Sequence, residues 1–157
     1  MRAGHSALGL CLAWLAGGAG AQVASPGTWP LLAPSASPTA RYASPLTTQA
    51  GDPVRGRRLV VDRQQGFCLL CHSGPFPEER FQGTLGPDLS LKAGHRVSAE
   101  VRTQLLAPTL FNPDTIMPAY GQPATTGLRV HPQFQGKPLL QPQDIEDIVA
   151  FLVQMTP

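Results

Sequence analysis

The sequence predicts an all-α domain with few helices and long Gly/Pro-rich loops. Three observations carry this. Helical patterns begin near Asp52, Ser98 and Pro142. Between them the chain is dense in Gly and Pro, 16 and 17 of 157 residues, so the connections read as loops. Finally, the five-residue motif Cys68-Leu69-Leu70-Cys71-His72 follows the first helical pattern and offers a centre around which few helices can pack.

Taken in order, the chain opens with a pattern expected of a signal peptide, residues 1–21. Met1-Arg2-Ala3-Gly4-His5 is short and positive, Ala7 to Ala16 is apolar, and Ala19-Gly20-Ala21 offers a small-residue cleavage site before Gln22. The apolar run is too short to span a bilayer comfortably. Cleavage near Ala21 removes Cys11 and leaves only Cys68 and Cys71, with no further cysteine for a disulfide. Residues 22–50 are rich in Pro, Ser and Ala and read as an extended linker. The alternative is an arm that lies on a partner protein, with Trp29 or Tyr42 as anchor.

The packed domain is expected over 51–157. Asp52 suits an N-cap and Pro53 the first helical position, with the helix running to about Gln65 and stopping at Gly66. Val54, Leu59, Val60 and the stem of Arg63 form its expected inner stripe. Gly56, costly in a helix interior, is explained by a second helix approaching closely. Residues 73–91 read as loop around Gly86-Pro87-Asp88-Leu89. Ser98-Ala99-Glu100 starts a helix that Pro108 ends. Leu110 to Pro118 is a loop holding Met117, and Gly121 to Gln141 is a long loop. The last helix starts near Pro142, with Asp144, Glu146 and Asp147 favourable to its dipole and Ile145, Ile148, Val149 and Leu152 as its buried stripe.

C-x-x-C-H is the attachment signature of a c-type haem. Two thiols add across the porphyrin vinyl groups, and the adjacent imidazole is a good ligand for either iron oxidation state. A zinc site would need further ligands that the mature chain does not offer as cysteine. A redox dithiol would want a βαβ setting, whereas the flanks look helical. One covalent haem c is therefore expected, on Cys68, Cys71 and His72. For the distal iron position Met117 is preferred, because a thioether favours reduced iron and the residue sits in a proline-bounded loop. His95, in a polar turn, His131 and Lys137 are the competitors. With both axial positions filled, electron transfer is favoured over chemistry at an open iron, and no catalytic residue is expected.

Net charge is +2 with no basic run, so nucleic acid is not an expected partner. No second apolar run is long enough for a membrane span.

Gly51-Asp52-Pro53-Val54-Arg55-Gly56, the haem motif, Gly86-Pro87 and Glu146-Asp147-Ile148-Val149-Ala150-Phe151-Leu152 resemble class I cytochrome c. That resemblance implies that the first and last helices cross at Gly56 and Val60 against Ile148 and Phe151, and that Pro87 orients His72. Asn112 to Tyr120, with Pro132-Gln133-Phe134-Gln135-Gly136-Lys137-Pro138-Leu139-Leu140, resembles the SoxX family, monohaem subunits of the SoxAX cytochrome. Departures are Leu91-Lys92, where a glycine-led turn is expected, and Gly121 after Tyr120. The resemblance implies a periplasmic electron-transfer subunit of an L-cysteine S-thiosulfotransferase. Its SoxA-type cytochrome partner, in a heterodimer, joins thiosulfate oxidatively to a SoxYZ carrier cysteine, and the electrons pass to an acceptor cytochrome c. The alternatives are a free-standing periplasmic shuttle or a haem subunit of another oxidoreductase.

Overall fold

The structure is a computed structural model and describes residues 37–123 and 132–156. The expected signal peptide, the linker as far as residue 36 with Trp29, and His131 lie outside the described residues. Among the described residues there are four α-helices and no β-strand: α1 (Pro53–Val61), α2 (Cys68–Cys71), α3 (Ser98–Leu106) and α4 (Pro142–Gln154), with short 3₁₀ turns between. No described helix is long and apolar enough to cross a membrane.

Helix α1 begins as expected. The Asp52 carboxylate accepts the N–H groups of Val54 and Arg55 at 2.8 and 3.2 Å, with Pro53 in the first turn. It ends at Val61, earlier than the expected Gln65. Asp62 turns its carboxylate onto the N–H groups of Gln64 and Gln65, at 2.6 and 3.0 Å, and redirects the chain. Gly56, Leu59 and Val60 form the buried face. Val54 is 64% exposed and Arg63 lies beyond the helix with its guanidinium on the Phe81 carbonyl, so neither belongs to the inner stripe.

Helices α1 and α4 cross where the first has no side chain. A Cβ on Gly56 would overlap the Asp147 carbonyl and come within 2.9 Å of the Phe151 Cβ. Just before α1, a Cβ on Gly51 would overlap the Glu146 carbonyl. The crossing thus involves Asp147 and Phe151, one residue from the expected Ile148. Ile145, Ile148, Val149 and Leu152 are buried as the periodicity implies. Phe151 meets Phe76 from the 73–91 loop, ring centroids 6.1 Å apart.

The acidic residues of α4 do more than face a helix dipole. Asp144 closes a capping box with Gln141. Glu146 and Asp147 are buried, at 5% and 1% exposure, and each takes a cation: Arg102 donates to both Glu146 oxygens at 2.7 and 2.9 Å, and Arg55 bridges Asp147 and Asp144. Asp147 also accepts the Asp52 N–H at 2.8 Å and Gln143 at 2.9 Å. Burial pushes both carboxyls up, but these donors outweigh it and hold both below their ordinary values.

Residues 37–50, read as linker, lie against this network instead. Pro38–Tyr42 is a 3₁₀ turn, Tyr42 packs on the core, and Arg102 donates to the carbonyls of Tyr42 and Ala43 at 2.8 and 3.3 Å. The Leu46 N–H donates to Glu146 at 3.0 Å and the Thr47 hydroxyl bonds Gln143 at 2.7 Å. Packing therefore begins well before Gly51, because a buried ion pair on α3 and α4 satisfies the arm's backbone groups.

Candidate haem site

Helix α2 is one turn long and carries Cys68 and Cys71 at its two ends. Its approach is unusual: Phe67 adopts φ +58°, a left-handed conformation costly for a bulky residue. The carbonyls at the end of so short a helix need outside donors. The loop supplies them. Gly83 N–H donates to Leu69, Gly86 N–H to Cys71 and Leu89 N–H to Ser73, at 2.9, 2.7 and 2.7 Å. The glycine at 83 is required by closeness, since a Cβ there would meet the backbone of Leu70 and Cys71.

The same loop holds His72. Its Nδ1 lies 2.7 Å from the Pro87 carbonyl oxygen. A carbonyl can only accept, so Nδ1 carries the proton, and the lone pair of the neutral ring sits on Nε2. A Cβ on Gly86 would overlap the His72 ring, so the glycine lets the chain pass against the imidazole. Asp88, next in the chain, accepts both the Ser73 hydroxyl at 2.7 Å and the Ser90 hydroxyl at 2.5 Å. These bonds hold its carboxyl below the ordinary value. They also anchor the loop to the residue after His72.

The two thiols differ. Cys68 is buried, its thiol donates to the Gly66 carbonyl at 3.4 Å, and the Tyr120 phenol lies beside it. Burial pushes its thiol up to about 12. Cys71 is half-buried, and neither thiol is in a disulfide. Tyr120 is itself buried, and burial raises its phenol well above the ordinary value.

Tyr120, three positions after Met117, is a structural residue that sequence reasoning missed. Its N–H donates to Leu105 on α3 at 2.8 Å, and its carbonyl accepts the Leu140 N–H at 3.0 Å. Met117 is half-buried against the core, its N–H on the Thr115 hydroxyl at 3.1 Å. Gln104 of α3 donates to the Met117 sulfur at 3.4 Å, a second contact that was not foreseen because a helical Gln reads as surface. Met155, near the end of the chain, is buried in the core. His95 is exposed in a turn.

This donor set fits a c-type haem. Two thiols outside any disulfide flank one helical turn, the following imidazole has Nδ1 engaged and its lone pair on Nε2, and the loop that ends at Tyr120 carries a soft sulfur donor. Among the described residues no group of three or more His, Cys, Asp or Glu side chains is placed to hold a metal ion by itself.

No family model matches the sequence, and no curated protein matches it either. Among solved structures the chain is similar to the crystal structure of SoxXA from P. pantotrophus, with 31% identity, a TM-score of 0.62, and coverage of 70% of this chain and 85% of that chain. The chain accordingly belongs to the SoxXA family and has the SoxX-like cytochrome fold.

Proposed function

We propose that this chain is the electron-relay subunit of a periplasmic thiosulfate-oxidising heterodimer with a SoxA-type cytochrome, exported through cleavage of its leader near Ala21. It carries one haem c, bonded to Cys68 and Cys71, with His72 and Met117 on the iron. The observation behind this reading is the His72 ring, tied at Nδ1 to the Pro87 carbonyl beside two unpaired thiols. When bound, the haem supplies a one-electron couple between ferric and ferrous iron.

The residues have distinct duties. Cys68 and Cys71 hold the ring covalently, and the Pro87 carbonyl fixes the tautomer in which Nε2 of His72 can ligate. Met117 would be the second residue on the iron, where its soft sulfur would favour the reduced state and keep substrate from the metal. No side chain here acts as acid, base or nucleophile. Oxidative joining of thiosulfate to the SoxYZ carrier cysteine belongs to the partner. This chain takes the electrons singly and passes them to an acceptor cytochrome c.

The test is thiosulfate-dependent reduction of the purified holoprotein in the presence of carrier protein, with and without the SoxA-type partner. Reduction only with the partner is the expected outcome. Reduction of this chain alone overturns the relay, and failure to copurify with a second c-type cytochrome from the periplasm favours the free-standing shuttle.

A further inference from the structure

We infer that Gln104 is a positioning residue for the Met117 thioether: it selects the sulfur lone pair that faces the iron and raises the reduction potential, an inference resting on the Met117 ligation proposed above. Its amide nitrogen lies 3.4 Å from the Met117 sulfur and donates to it. A thioether sulfur is a weak acceptor with two lone pairs. With one turned to the amide, the other is left for a metal.

The surroundings make this a held arrangement. The Met117 N–H is fixed on the Thr115 hydroxyl at 3.1 Å, and the Tyr120 N–H on the Leu105 carbonyl at 2.8 Å. One turn of α3 therefore holds both the sulfur and the backbone three residues beyond it. That turn is anchored in its own right, since Arg102 is locked to Glu146 at 2.7 Å. Helix formation does not call for an amide at position 104, where leucine is as good a helix former.

The electronic consequence follows from the direction of the bond. An N–H aimed at the sulfur draws electron density from it and leaves less for donation to the metal. Ferric iron depends on that donation more than ferrous iron does, so the bond favours reduction.

The experiment uses the full-length holoprotein and the variants Gln104→Leu and Gln104→Glu. It reads the sulfur-to-ferric-iron absorption band, the midpoint potential and the proton NMR signal of the Met117 methyl. Both variants are expected to retain haem. Without the amide donor, the ratio of oxidised to reduced affinity should change by up to about fivefold, a fall of about 40 mV at 59 mV per tenfold for one electron. In Gln104→Leu the methyl signal should also report both sulfur configurations. Gln104→Glu, which offers the sulfur no N–H, should show the same direction of change; it carries the test if the leucine variant does not fold. Loss of the band in a folded, haem-loaded variant also supports the role, the sulfur having been released. An unchanged potential with a single methyl configuration in both overturns it and leaves Met117 ligation standing. A wild-type protein lacking the band removes Met117 ligation and this inference together, a result visible without any variant.

Discussion

The His72 ring donates its Nδ1 proton to the Pro87 carbonyl at 2.7 Å, and the residue before that proline, Gly86, has no side chain to push the ring away. The loop thereby sets both the tautomer of the imidazole and the space it occupies. Gly86→Ala puts a methyl group into the ring, and either ring or loop must move. We expect a loss of about 1–3 kcal/mol and a reduced haem content per protein. Pro87→Ala keeps the carbonyl and should cost less, within about 1 kcal/mol. Thermal unfolding with haem absorbance checks both; wild-type haem content and stability in Gly86→Ala would refute the close-packed arrangement.

Gly56 makes the same argument at the helix crossing. Alanine is the better helix former by about 1 kcal/mol, so on propensity alone Gly56→Ala should stabilise α1. The overlap with the Asp147 carbonyl and the contact with Phe151 oppose that gain. Because backbone cannot move aside as a side-chain tip does, the clash wins, with a net loss of about 1–3 kcal/mol. Val54→Ala, on the exposed face, should stay within about 0.5 kcal/mol. Denaturant midpoints of the two variants decide it.

What the sequence made legible follows from locality. The haem motif, the Gly56 crossing and the α4 stripe each declare themselves within a few residues. Arg102 does not: a charge in mid-helix reads as solvated, and its partners are Glu146 and two backbone carbonyls some sixty residues earlier, which carry no side-chain signature. That is why residues 37–50 read as linker. Val54 misled for the opposite reason, since it is apolar at a position near the expected stripe yet faces outward at the first turn of α1. Gln104 and Tyr120 were missed because their partners, the Met117 sulfur and the backbone of Leu105 and Leu140, lie on other elements.

Removing the guanidinium of Arg102 leaves the Glu146 carboxylate buried with no cation and two arm carbonyls without their donor. Arg102→Ala should destabilise by about 3–5 kcal/mol, most of it the cost of the stranded charge. The arm should loosen as well, giving faster proteolysis between residues 42 and 50. Adding Glu146→Gln removes the stranded charge and should restore part of the stability, though not the protection of the arm. Equal loss in the single and double variants would show that the ion pair is not what the arm rests on.

The same carboxylates set the response to acid. Glu146 and Asp147 are held below their ordinary values of 4.5 and 3.8 by their donors, against the upward push of burial. In the unfolded chain they return to those ordinary values, so at low pH the unfolded state binds protons first. Their contribution is thus complete above the ordinary carboxylate range and is lost as pH falls through the depressed folded values. Stability should be flat with respect to these groups from about pH 6 upward and decline below about pH 4. Glu146→Gln gives the check: its stability at neutral pH should be lower than wild type, because Arg102 loses its counter-charge, but its decline in acid should be shallower, because one titrating group is gone. Urea midpoints measured from pH 3 to 7 resolve the two slopes. Parallel slopes would mean that Glu146 titrates alike in both states and that the arm, not the charge pair, dominates this corner of the fold.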